Sequence, residues 1–207
     1  MRITRYFQSC LLVEENGVRV LIDPSGNEAG NLDKFGKLDA VLYTHEHADH
    51  FDAELAQTFV EQGIAPLYAN ASTAKLIKAS KTEVNNGQGF EVRGLKIKAL
   101  ELAHCLMIDG SEGPQNTGYM INDRFFHAGD GKELAGLAAE ILAVPIAGPD
   151  ISFKDASDFA KQASAKTVIP IHYDFIGTNP EVFATFAGFF KQPFKIQVIS
   201  PGQSAEV

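Results

Sequence analysis

One short block, His45-Glu46-His47-Ala48-Asp49-His50, constrains this chain more than any other stretch, because it holds three of the six histidines. It follows Leu38–Thr44, an apolar run that reads as a buried strand. On extended backbone, residues two apart point to the same side, so His45 and His47 face one point. The chain then has to bend into a helix, which brings Asp49 and His50 in from another direction. Neutral imidazole and carboxylate are the ligands that zinc and similar divalent metals prefer. Four such groups in six residues crowd a single tetrahedral ion, and dividing them between two neighbouring ions relieves the crowding. The i, i+2 spacing excludes the helical H-E-x-x-H zinc motif, which needs i, i+4. The bland alternative is a solvated histidine tract on a loop.

The surroundings read as those of a soluble globular domain. At 207 residues, 45% hydrophobic and 21% charged, the composition is globular and fits one domain over residues 1–207. A net charge of −8 argues against nucleic acid and anionic membranes as partners, since both need a basic patch. No run approaches the ~20 apolar residues of a spanning helix. The first residues lack the apolar core of a secretion signal. Two cysteines, Cys10 and Cys105, form no disulfide framework. A cytoplasmic location is expected.

Strands are expected at Arg2–Gln8, Cys10–Glu14 and Val18–Asp23, the last two joined by a turn at Glu15-Asn16-Gly17. Ser25–Lys37 reads as a loop. A helix is expected over Ala53–Gln62 with Leu55, Phe59 and Gln62 on one face, stopped by Gly63. A strand at Leu67–Asn70 precedes a helix capped by Ser72 and running to Ser80. Hairpins are expected around Gly94 (Phe90–Arg93 with Leu95–Leu102) and around Asn122-Asp123 (Gly118–Asn122 with Arg124–His127). Lys132–Glu140 suggests a helix and Ile141–Ile146 a strand. A capping box at Ser152–Asp155 opens a helix to Ser164. Val168–Ile171 is a strand, a helix starts at Asn179-Pro180 and runs to Lys191, and Ile196–Ser200 closes the fold. Hairpins and helix–strand alternation together give mixed sheets covered by helices, a layered α/β sandwich.

The motif Thr44-His-Glu-His-Ala-Asp-His50 resembles the H-x-H-x-D-H signature of the metallo-β-lactamase superfamily. Further landmarks stand in that family's order: His104 after Leu95–Leu102, Gly129-Asp130 after Phe125-Phe126, and His172 at the end of Val168–Ile171. The similarity spans residues 3 to about 175. Leu21-Ile22-Asp23-Pro24, Asn116–Ile121 and His127-Ala-Gly-Asp130 resemble the small standalone branch related to ascorbate-6-phosphate lactonase and N-acyl-phosphatidylethanolamine phospholipase D. The resemblance implies a four-layer αββα sandwich of two mixed sheets. It also implies one metal on His45, His47 and His104 and a second on Asp49, His50 and His172, with Asp130 contacting both. Asp49 and Asp130 are then the catalytic carboxylates. Zinc is the expected ion, with manganese, iron and nickel also accommodated.

Three neighbours of that set have open roles. Asp23 is a turn residue or a carboxylate that orients a ligand histidine. His127 is a hydrogen-bonded core histidine or a group that orients Asp130. Tyr173 is packed or donates to a substrate oxyanion. Cys10 reads as a small buried hydrophobe, while Cys105 is a buried or oxidation-sensitive neighbour of His104.

Two divalent ions sharing a water lower its pKa from ~15.7 towards ~7 and polarise a carbonyl or phosphoryl oxygen. The expected activity is therefore hydrolysis of an ester, lactone, amide or phosphodiester. The two ions outweigh the two aspartates and a hydroxide, leaving a positive pocket suited to a small anionic substrate. Ser25–Lys37 and Met107–Asn116 are the expected specificity loops. The alternatives are an iron-dependent oxidoreductase or dioxygenase on the same fold, and a non-catalytic metal-binding module. Diiron flavoprotein relatives usually carry glutamate at the position of His47, and no flavin domain follows, which favours hydrolysis. Neither the substrate nor the oligomeric state is legible.

Overall fold

Residue parity builds the layers. In the computed structural model, which describes residues 1–30 and 32–207, β3 (Val18–Ile22) sends Val20 and Ile22 to one face and Leu21 to the other. Neighbouring β4 (Ala40–Tyr43) does the same, with Leu42 on the first face and Val41 and Tyr43 on the second. A strand turns successive side chains to opposite faces, so each apolar strand serves two cores at once. In the second half, β11 (Ile141–Pro145) and β12 (Thr167–Ile171) place Ile141, Ala143, Ile169 and Ile171 in the core they share with Val20, Ile22 and Leu42. Leu142, Val144 and Val168 face away.

Two seven-stranded mixed sheets result. The first contains β1 (Arg2–Arg5), β2 (Leu11–Glu15), β3, β4, β5 (Leu67–Ala69) and β6 (Thr82–Glu83) in that order, with β14 (Ser204–Glu206) on its β1 edge. The second runs from β7 (Gly89–Val92) through β8 (Leu95–Leu102), β9 (Asn116–Ile121), β10 (Phe125–His127), β11 and β12 to β13 (Lys195–Ile196). In each sheet the strands pair antiparallel on one side and parallel on the other. Helices α1 (Ala53–Glu61) and α2 (Ala71–Ala74) cover the outer face of the first sheet through Leu55, Phe59 and Ala74. Helices α3 (Phe153–Gln162) and α4 (Pro180–Phe189) cover the second through Ala156, Phe159 and Phe183. This is the four-layer αββα sandwich. No helix among the described residues is long and apolar enough to cross a membrane.

The hairpin turns, the capping box at Ser152 and the Asn179-Pro180 cap form as expected. Five local expectations do not. Lys132–Glu140 is an irregular loop: Gly136 takes φ +76°, and Ala139 N–H donates to Ala163 O across the fold instead of back along a helix. Ser72 is not the helix cap, because Asn70 Oδ1 takes the Thr73 N–H at 3.0 Å and the helix lasts a single turn. Gln62 is exposed beyond α1, so only Leu55 and Phe59 of the expected face are buried. Ile196–Ser200 does not close the fold: Gly202 turns the chain with φ +78°, and Ser204–Glu206 pairs with β1 in the other sheet. Ser25–Lys37 contains two 3-10 turns, Gly26–Glu28 and Leu32–Phe35, and Asn31 within it lies outside the described residues.

Candidate metal centre

Strand ends place every residue of the cluster. His45 leaves the end of β4, His104 the end of β8, Asp130 the loop after β10 and His172 the end of β12. The backbone N–H groups of His50 and Phe51 both donate to His47 O at 2.9 Å, and this turn swings Asp49 and His50 back towards His45. The two sheets are stitched together at the same end. Thr117 N–H donates to Thr44 O, and Asn70 Nδ2 donates to Thr44 O and Gln115 O, both at 2.8 Å.

The geometry divides the residues into two groups. The ligand atoms of His45, His47, His104 and Asp130 lie within 4.8 Å of one another, as do those of Asp49, His50 and His172. Asp130 stands between the groups. Its Oδ2 is 3.4 Å from His104 Nε2 and 3.2 Å from His172 Nε2, and its Oδ1 is 3.1 Å from His50 Nε2. Ligand bonds of ~2.0–2.1 Å in tetrahedral geometry would put neighbouring ligand atoms about 3.3 Å apart, close to these separations. His45 Nε2, His50 Nε2, His104 Nε2 and Asp130 Oδ1 are buried and have no hydrogen-bond partner among the described residues. Buried polar atoms are seldom left so, and four of them facing one another fit a cation that would satisfy them together.

The other side of each ring is occupied. His50 Nδ1 donates to Asp23 Oδ2 at 2.8 Å, His104 Nδ1 to Cys105 O at 2.6 Å and His172 Nδ1 to Ala147 O at 2.7 Å. His45 Nδ1 donates to Thr44 Oγ1 at 2.9 Å, and that hydroxyl donates to Asp23 Oδ2 at 2.7 Å. Such bonds fix the tautomer that turns Nε2 inward. Asp23, fully buried with φ +52°, therefore supports one imidazole of each group, directly at His50 and through Thr44 at His45.

Charge within the cluster is strongly polarised. Burial pushes the imidazoles of His45 and His47 below their ordinary range, with His50 and His104 respectively adding to the effect. Burial also opposes protonation of His50, His104 and His172, but Asp130 outweighs it and raises all three, His104 to about 10. Asp130 and Asp49 are lowered despite their burial, by His50 and His172 foremost for Asp130 and by His172 for Asp49. Both carboxylates are thus anions ready to meet a cation, which would displace protons from the raised imidazoles.

Of the residues with open roles, His127 is fully buried and satisfied on both nitrogens: Nε2 donates to Ser9 O at 2.9 Å, and Nδ1 accepts from Gly129 N–H at 3.2 Å. It is a core histidine that also anchors the Gly129-Asp130 turn. Tyr173 takes the packed one of its two readings. It is buried, its hydroxyl reaches Ile199 O at 3.5 Å, and the Arg5 guanidinium stacks on its ring 4.1 Å from the centroid. Both cysteines are free and buried.

The sequence assigned no role to Gln8, Glu46, Asn70 or Asn116, although Glu46 and Asn116 stand within its motifs. Gln8 donates from Nε2 to Asp49 Oδ2 at 3.0 Å and accepts Phe175 N–H at Oε1. Glu46 Oε2, between two of the histidines, takes the Ser72 and Thr73 hydroxyls. Asn116 accepts Asp130 N–H and donates to Ala128 O. Gln8 at φ +57° is a residue type without special tolerance for that conformation, so nothing in the one-dimensional pattern marks it.

Above the cluster opens a pocket of about 510 Å³ lined by Gln8, His47, Asp49, His104, Asp130 and His172 and, farther out, by apolar side chains. Met107 and Ile108 belong to the lining as expected of the Met107–Asn116 loop, but no described residue of Ser25–Lys37 does. That loop packs elsewhere, with Glu28 buried and accepting Phe7 N–H.

A family model described as a beta-lactamase superfamily domain matches residues 2–172. The UPF0173 protein PF0020 of Pyrococcus furiosus is 32% identical over 197 residues, covering 88% of this chain and 89% of its own length. The UPF0173 metal-dependent hydrolase MK1542 of Methanopyrus kandleri is 30% identical over 237 residues, covering 100% of both. Among solved structures the fold is similar to Igni18, described as a novel metallo hydrolase from Ignicoccus hospitalis, with a TM-score of 0.78, 24% identity and coverage of 100% and 98%.

Proposed function

From the premise that this chain belongs to the beta-lactamase superfamily and is a metal-dependent hydrolase, we propose that it works through two divalent ions, zinc foremost, as one domain in the cytoplasm. His45, His47 and His104 would hold one ion and Asp49, His50 and His172 the other, with Asp130 touching both. The observation that carries this reading is the convergence of four unpartnered buried atoms, His45 Nε2, His50 Nε2, His104 Nε2 and Asp130 Oδ1. When bound, such a pair of ions supplies a water acidified towards ~7 and a Lewis acid for the scissile oxygen.

The chain's own residues set the rest. Asp23 and Thr44 hold two rings in the tautomer that presents Nε2, and Gly129 with Asn116 fixes Asp130 between the two groups. Asp49 differs from Asp130 in keeping solvent access, its side chain being 26% exposed against 4%. Gln8 Nε2 donates to its Oδ2, the oxygen beside His172 Nε2 that would share the ion with that ring. This leaves Oδ1 to take a proton and return it to the leaving group. The substrate is a small molecule with an ester, lactone, amide or phosphodiester bond and a carboxylate or phosphate beside that bond, drawn by the excess positive charge of the pair.

Elemental analysis of the purified protein, followed by neutral and anionic substrate panels with the native metal restored, tests this reading. Turnover lost on chelation, regained with the divalent ion and favouring anionic substrates supports it. Undiminished turnover by metal-free protein contradicts it, and oxygen uptake by an iron-loaded form would favour oxidation instead.

A further inference from the structure

Two apolar turns flank the mouth of the metal centre, and their tips stand exposed. Ile108, on the loop after His104, is 93% exposed, and Phe175 and Ile176, on the loop after His172, are 75% and 59% exposed. All three line the same pocket as His47, Asp49 and His172, together with Met107 and Pro149.

Both turns are tied down. Met107 N–H donates to Ser111 O and Gly110 N–H to Met107 O, while Ser111 bonds Asp109 Oδ1 through both its backbone N–H and its hydroxyl. Across the mouth, Thr178 N–H donates to Tyr173 O, and Phe175 N–H is held by Gln8 Oε1. The Gln8 amide also holds Asp49, so one side chain sets the Phe175 turn in register with the centre. Exposing large apolar groups on built turns around a cleft marks a contact surface.

The lining has a second property: no lysine or arginine belongs to it among the described residues. Any anionic group of a substrate must therefore sit at the centre itself. A second charge at the outer end of the molecule would meet only Ile108, Phe175, Ile176 and Met107.

We propose that the substrate is amphiphilic, with its polar scissile group at the metal centre and an uncharged aliphatic or aryl arm of several carbons lying between Met107-Ile108 and Phe175-Ile176. The proposal rests on the metal-centre reading above and adds the chemistry of the distal part. Burying a methylene strengthens binding about fourfold, so four of them give on the order of 200-fold when fully covered. An open lip captures part of that.

Calorimetric titration of the zinc-loaded protein with acetate, hexanoate and adipate tests the arm without requiring turnover. Hexanoate is expected to bind at least tenfold tighter than acetate, and adipate, with a carboxylate where hexanoate ends in methyl, to lose most of that gain. In the double variant Ile108→Ser, Phe175→Ser the hexanoate-to-acetate ratio should fall towards one. Its exposed positions leave the unfolding temperature close to that of the parent. Metal-dependent binding with no chain-length preference, adipate binding as tightly as hexanoate, or a preference unchanged in the double variant would overturn the arm alone. Acetate and hexanoate binding with undiminished affinity and the same preference in the metal-free protein would support the arm and overturn the metal centre.

Discussion

Replacing Asp23 by Asn probes the centre while leaving every proposed ligand in the sequence. Asp23 Oδ1 accepts Thr44 N–H at 2.8 Å, and Oδ2 accepts both the Thr44 hydroxyl and His50 Nδ1–H. An amide keeps one acceptor oxygen and offers two N–H groups where the second oxygen stood. If the oxygen stays on Thr44 N–H, the new NH2 faces the Nδ1–H of His50 and drives that ring to the tautomer protonated at Nε2, whose lone pair no longer points inward. Loss of such a supporting group costs about 10–100-fold in metal affinity or activity. A buried donor left unmatched costs the metal-free fold a further ~1–3 kcal/mol, which for a chain of this size is roughly 2–12 °C in unfolding temperature. Thr44→Val removes only the link to His45 and leaves the Asp23–His50 bond in place. Chelator competition should therefore show both ions weakened in Asp23→Asn and only the His45 ion weakened in Thr44→Val. Affinities within threefold of the parent at both sites in Asp23→Asn would refute the reasoning.

His47→Ala and Asp130→Asn are each expected to abolish turnover and reduce bound metal while unfolding stays cooperative, as kinetics, elemental analysis and calorimetry would record; normal activity with full metal would remove them from the ligand set. Gly129→Ala puts a Cβ 2.2 Å from Asn116 Oδ1 on backbone at φ +56°, and a thermal melt should fall by roughly 5–15 °C from the strain of an overpacked left-handed position. Chelation of the loaded protein should lower the unfolding temperature by about 8–16 °C if the ion stood at a thousand times its dissociation constant, worth ~4.1 kcal/mol. A melt that ignores the chelator would mean that no such ion binds the native state.

The layered fold was legible because strand alternation in Val18–Ile22, Ala40–Tyr43 and Ile141–Pro145 is written directly into the apolar pattern. The grouping of histidines and aspartates was legible because such a cluster has few other uses and because its parts stand in the order of a known family. Helix signals failed for two reasons. Ala139 gives its N–H to Ala163 across the fold, which composition does not reveal, and Asn70, as good a cap as Ser72, takes the Thr73 N–H locally. The last strand was missed because Ser204–Glu206 has little apolar character and is fixed by pairing with Arg2–Thr4 at the far end of the chain. Gln8 was invisible because its importance comes from where Asp174 and Asp49 hold it, not from its type.

The quantity closest to the central claim is the number of metal ions per chain at saturation, counted by elemental analysis for the parent and for His172→Ala. A ratio near two that falls near one in the variant is the expected result. A parent that never exceeds one, or a variant indistinguishable from it, would contradict a paired centre bridged by Asp130.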